Sequence, residues 1–242
     1  MRKNNLYYIV ILVFMFATNG MAQIKQKPLN YSRFDHKTFH FGFMLGLNTA
    51  DFSTRYKPNM LDEYNVYSIE NKLQPGFQLG LISSMKLGTP LLRLRFMPSI
   101  SFQERILNYY TISNEENKKF DVYEERVGST NLDFPLLLKF RTLRYNNFAA
   151  YIIGGGQYTL DLQSKEKIAQ KYGDPFIKIF RDDFQYQVGA GVDFFMTFFK
   201  FSIELKFSHG FKNALIQDNT RLSSPIESLK NRIWLISFTF EG

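Results

Sequence analysis

Apolar and polar residues alternate with a period of two along most of the chain. Between Phe39 and Asn48 the odd positions (Phe39, Phe41, Phe43, Leu45, Leu47) are large and apolar. The even positions (His40, Gly42, Met44, Gly46, Asn48) are small or polar. Period two describes a β-strand with one bulky apolar face. The pattern recurs around Phe77–Leu81, Leu92–Gln103, Asn131–Phe140, Phe184–Phe194, Phe201–Ser208 and Trp234–Phe240. A further strand covers 148–158, where both parities carry apolar residues and the facing stays open. Eight strands result, most of about ten residues, the length a tilted strand needs to cross a bilayer.

The connections alternate long and short. Short ones fall near 88–90, 144–147 and 196–198, and long ones cover roughly 51–74, 104–126, 161–183 and 212–232. A soluble sandwich or lipocalin-like barrel has no reason for strict alternation. The pattern therefore predicts an all-β fold: an eight-stranded antiparallel transmembrane β-barrel with short periplasmic turns and four long extracellular loops.

Composition agrees. Aromatics are abundant, with 26 Phe and 14 Tyr, while cysteine is absent. Neither a disulfide framework nor a thiolate metal site is available. No apolar run of about 18 residues exists beyond the extreme N-terminus, so helical spans are not expected. That N-terminus reads as a secretory signal: Arg2 and Lys3, an apolar stretch from Leu6 to Ala17, then small residues before a cleavage point between Ala22 and Gln23. The organisation is a signal peptide over 1–22, a periplasmic N-terminal segment over 23–38 and a barrel over 39–242, exported by the Sec route to the outer membrane.

An eight-stranded barrel is only wide enough for side chains to fill its interior. The inward set carries Arg93, Arg95, Asp133, Lys139, Asp193, Glu204 and Lys206. Buried charges must be paired, and with Glu241 the set is self-neutralising. It reads as a salt-bridge plug, with a proton or ion path as the alternative.

The chain is basic, +8 overall. The long loops nearly balance, so the excess concentrates on one side: Lys25, Lys27, Arg33 and Lys37 in the N-terminal segment, and Lys86, Arg141, Arg144 and Lys200 at the short turns. Such a one-sided field steers binding over about a Debye length, toward anionic headgroups or an acidic protein face.

Catalytic chemistry is scarce. His36, His40 and His209 show no ligand spacing, so no metal or other cofactor is called for. Ser208 and His209 invite comparison with lipid-hydrolysing barrels, but adjacent strand residues point to opposite faces. Gly154, Gly155 and Gly156 lack the strand-to-helix context of a phosphate cradle. The charged, Tyr-bearing stretch 114–125 reads as a solvated loop, with an adhesive site as the minor alternative. Nothing points to nucleic acid.

The segments 40–48 (HFGFMLGLN), 132–140 (LDFPLLLKF) and 187–194 (QVGAGVDF) resemble the outer-membrane β-barrels of Bacteroidota. Within that group the mature chain most resembles the PorT family, linked to type IX protein secretion and gliding motility. The resemblance implies a non-enzymatic barrel whose partners are outer-membrane lipid and proteins of the secretion machinery; the alternatives are a generic OmpX-like structural or adhesive barrel and a small pore. One departure stands out: many barrels end on an aromatic residue, whereas here Phe240 is followed by Glu241 and Gly242.

Overall fold

The computed structural model describes residues 29–112, 120–164, 176–218 and 220–242. The signal segment, with the junction between Ala22 and Gln23, and the cations Lys25 and Lys27 lie outside the described residues. Ten strands are present among the latter: β1 Phe39–Tyr56, β2 Val66–Lys72, β3 Gln74–Lys86, β4 Leu92–Phe96, β5 Ser99–Ile112, β6 Phe120–Arg141, β7 Phe148–Asp161, β8 Asp182–Phe195, β9 Lys200–Gly210 and β10 Ile226–Glu241. A short helix, α1 Met60–Tyr64, and a 3-10 turn, Ser32–Asp35, complete the elements.

All pairings are antiparallel and the sheet closes on itself, because β1 pairs with both β10 and β3. The ring has eight positions. β4 and β5 share one of them, since both lie between β3 and β6 in the same register. The strand expected over Leu92–Gln103 is therefore broken at Met97 and Pro98. Pro98 has no N–H for the ladder, and it sits opposite the stretch of β6 that contains Pro135, which lacks one too. Only isolated bonds cross the break: Met97 N–H to the Pro135 carbonyl at 3.2 Å and Leu81 N–H to the Pro98 carbonyl at 2.9 Å.

The second departure concerns the long loops. β6 runs for 22 residues, about twice what a bilayer requires. It pairs with β5 up to Ile112, opposite Phe120. β2 adds a third strand beside β5. Much of the chain expected as loop at 51–74 and 104–126 is thus sheet standing above the membrane.

Facing follows the alternation. Phe41, Leu47, Leu81, Leu136, Ile152, Leu205 and Ile236 are exposed to what surrounds the barrel, while Gln78, Asp133, Gln157, Gln187 and Glu204 are buried inside. In β7 the open question resolves with Ala149, Tyr151 and Ile153 inward and Ala150 and Ile152 outward. Gly155 is required by strand spacing: a Cβ there would lie 2.2 Å from the Leu136 carbonyl oxygen. Outward aromatics stack across strands, as Phe43 does on Phe240 at 4.9 Å and Phe77 on Phe102 at 4.5 Å. They form the interfacial girdles of a membrane barrel.

Candidate functional site

The interior is filled in layers from the short-turn end upward. At the bottom, the described part of the N-terminal segment is not a free arm. Its 3-10 turn pushes Phe34 into the mouth, where the ring is fully buried against Ala149 and Phe195. Phe34 stacks on His40 at 3.7 Å, and the Arg93 and Lys200 cations sit over its ring at 4.8 and 4.5 Å. Its carbonyl lies 2.8 Å from His40 Nε2 and accepts from Arg93 at 3.3 Å. Asp35 pairs with Arg141 at 2.7 Å and with Arg144 at 2.8 Å, and Arg144 also lies 3.4 Å above the Phe195 ring. Lys86 donates to the His36 carbonyl at 3.2 Å.

These contacts correct the expected basic face. Lys200 is buried in the lumen, 2.9 Å from Glu241 and 3.7 Å from Asp193. Arg141 and Arg144 are spent on Asp35. Of the six cations of that face among the described residues, Arg33 and Lys37 are exposed and Lys86 is partly so. The error came from treating short-turn residues as surface. Lys200 shares its parity with Ser202 and Glu204, and Arg141 with Lys139, so alternation continued to the strand ends puts both inward.

Above the stopper lies a charged layer. Arg95 bridges Glu204 and Glu241. Lys139 pairs with Asp193 at 2.7 Å and Lys206 with Glu204 at 2.9 Å. Tyr151 donates to Glu204 at 2.7 Å and Ser202 to Asp193 at 2.6 Å. Glu241 explains the departure at the C-terminus: the residue after Phe240 turns inward and becomes a counter-ion, and Gly242 N–H closes the rim onto the Phe41 carbonyl at 3.0 Å. The multidentate, hydrogen-bonded geometry is what lets charges persist in a buried interior.

Asp133 does not belong to this network. Four neutral donors satisfy it: Gln78 at 3.1 Å, Ser101 at 2.8 Å, Gln157 at 3.0 Å and Thr159 at 2.7 Å. The layer around it is amide and hydroxyl, with Arg105 held by Gln103 at 2.6 Å and Ser129 at 3.2 Å.

The top is closed by an apolar core that the alternation did not reveal. Phe52, Val66, Ile69, Leu107, Tyr109, Val127 and Leu229 from the tall strands meet Ile177, Ile179, Leu215 and Leu222 from the last two connections. Segments 177–180 and 214–216 pair briefly, with Phe180 N–H on the Ala214 carbonyl at 2.8 Å and Ile216 N–H on that of Lys178 at 3.0 Å. Burial pushes the Tyr109 phenol pKa up, so it remains a neutral donor to the Leu222 carbonyl at 2.9 Å.

Among the described residues, Ser208 and His209 do not come together as a catalytic pair. Ser208 faces the lumen and accepts from Gln187 at 2.8 Å, while His209 is on the outer face beside Tyr186. Among the described residues no three His, Asp or Glu side chains gather as metal ligands would.

Comparison with known proteins gives one family. The family described as "Outer membrane protein beta-barrel domain" matches residues 21–215. Among solved structures, the chain is similar to OprG of Pseudomonas aeruginosa (TM-score 0.48, 16% identity, 86% of this chain and 98% of that one). It is also similar to Neisserial surface protein A (TM-score 0.45, 8% identity, 83% and 95%). Ail of Yersinia pestis, solved with sucrose octasulfate, follows (TM-score 0.36, 12% identity, 85% and 100%). No curated protein sequence matches.

Proposed function

Because the chain belongs to the outer membrane protein β-barrel domain family, we propose that it is a sealed, non-enzymatic barrel that acts through its two ends as an accessory of type IX protein secretion. The protein resides in the outer membrane. The observation that carries the sealed reading is the double closure. Phe34 stops the lower mouth, the core around Tyr109 and Leu222 roofs the upper one, and a layer of ion pairs with a layer of amides and hydroxyls lies between. Such a lumen favours action through contacts over passage of solutes. The secretion reading draws its support from the resemblance of 40–48, 132–140 and 187–194 to the PorT family. On the periplasmic side, Arg33 and Lys37 are the exposed cations among the described residues that an acidic partner could meet.

The experiment is a deletion strain assayed for secreted cargo. It is complemented either by the wild type or by a variant with Lys25, Lys27, Arg33 and Lys37 all changed to Glu. Docking predicts a charge-reversed barrel of normal abundance that loses periplasmic crosslinks and cargo export. Normal secretion in the deletion strain would remove the secretion reading altogether.

One feature favours a second reading, a surface or adhesive barrel. The raised sheet of β2, β5 and β6 exposes Tyr67, Ile112, Val122 and Tyr123. Between it and Arg221 and Leu222 opens a cleft of about 380 Å³. This reading predicts intact secretion and reduced attachment on deletion.

A further inference from the structure

Charge is unevenly distributed around the upper rim of the barrel wall. Strand register orders the outward side chains into rows. Trp234 faces Phe207 across β10 and β9. One row higher, toward the long loops, Arg232 faces His209 and is flanked on β1 by Asp51. One row higher again, Lys230 stands beside Ser53. Exposed Arg55 follows on β1, and Lys212 lies over the Phe184 ring at 5.2 Å. Across the barrel, the raised sheet of β2, β5 and β6 carries Glu70, Glu104 and Glu124, with Arg126 held by the last two.

Height gives this basic sector its meaning. Trp234 and Phe207 pack at 4.8 Å and belong to the aromatic girdle that marks the edge of the hydrocarbon. Cations one and two rows above it stand where the headgroups of the outer leaflet lie. Asp51 grips Arg232 bidentately through Nε and Nη2. That grip fixes the guanidinium plane and leaves Nη1 pointing away from the carboxylate, and the side chain keeps 43% of its exposure. A pre-oriented guanidinium, an ammonium and an imidazole within two rows form a phosphate-binding constellation with an apolar girdle beneath it for acyl chains.

We propose that the outer face of β1, β9 and β10, through Lys230, Arg232 and His209, binds the phosphate of an anionic lipid in the outer leaflet. The opposite, acidic sector does not. Bound lipid would then sit on one side of the barrel and orient that side within the leaflet.

The test is lipid retention by the full-length barrel, exchanged from nanodiscs into mild detergent and weighed by native mass spectrometry. Nanodiscs contain phosphatidylglycerol and phosphatidylcholine in equal amounts, and a parallel set contains diphosphoryl lipid A. Wild type is expected to retain the phosphate-bearing anionic lipids in preference to phosphatidylcholine. The preference should fall by about fivefold for each cation removed, in Lys230→Gln and in the paired change Arg232→Gln with Asp51→Asn. The paired change avoids leaving Asp51 buried alone. Glu104→Gln with Glu124→Gln, on the far sector, should leave the preference intact. Folding of each variant is checked by heat-modifiable gel mobility. Equal retention of the two phospholipids by wild type, or an unchanged preference in the folded Lys230 and Arg232 variants, overturns the proposal. Loss of bound lipid on adding inorganic phosphate at matched concentration would show a plain anion site and overturn the assignment to lipid.

Discussion

Phe34 and His40 lie face to face, ring centroids 3.7 Å apart and planes 17° from parallel, with His40 Nε2 2.8 Å from the Phe34 carbonyl oxygen. A residue that precedes the barrel strands and one from the start of the first strand thus form the stopper of the lower mouth. Replacing Phe34 with Ala removes that ring from among Arg93, Lys200 and Phe195. Large-to-small changes of this kind cost about 3–5 kcal/mol. Urea unfolding in detergent micelles is the measurement. Planar-bilayer recordings on the same variant should still show no steady conductance, because the charged layer and the upper core remain.

Asp35 anchors the stopper electrostatically. Asp35→Asn weakens its bonds to Arg141 and Arg144, and both guanidiniums are already largely desolvated. Amide hydrogen exchange at residues 33–37 should accelerate while exchange in β6 and β7 stays slow. Equal acceleration in the strands would show that Asp35 supports the barrel as a whole.

Glu204→Gln leaves Arg95 and Lys206 short of a counter-ion inside the wall. Breaking one side of a buried pair costs about 3–5 kcal/mol. Asp133→Asn, at a carboxylate held by neutral donors, gives up acceptor capacity rather than a charge partner and should cost about 1–3 kcal/mol. The order of the two unfolding midpoints checks the division of the lumen into an ionic and a neutral layer.

Leu81→Arg or Leu205→Arg places a charge at mid-strand on the lipid-facing wall, for a cost of about 2–4 kcal/mol. Ser68→Arg, on the raised β2 strand outside the bilayer, should fall within about 0.5 kcal/mol of wild type. Refolding yield into vesicles separates them, and equal losses at both sites would place the membrane boundary elsewhere.

Gly155→Ala tests strand spacing. The added carbon would meet the Leu136 carbonyl at 2.2 Å, and backbone cannot yield as a side-chain tip can. Folding yield should drop sharply, whereas Gly156→Ala, with open space around its Cβ position, should fold.

Period-two alternation was enough to determine the barrel, its eight ring positions and the facing of nearly every strand, because a pleated strand between lipid and a filled lumen must alternate. It also placed Arg95, Lys139, Asp193, Glu204 and Lys206 inside. Followed one step further along β6 and β9, it would have placed Arg141 and Lys200 there too. The break at Pro98 was half legible: a proline in a strand forecasts a lost ladder bond, but not that Pro135 would stand in the facing stretch. Three features came only from tertiary structure. Phe34 lies six residues before His40 in an irregular stretch with no periodicity, and only the width of the lower mouth makes it a stopper. The upper core gathers Phe52, Leu107, Ile179, Leu215 and Leu222 from four connections, each with too few apolar residues to register alone. Which cations were free to face solvent depended on distances to Asp35, Asp193 and Glu241, and a one-dimensional charge count carries no distances.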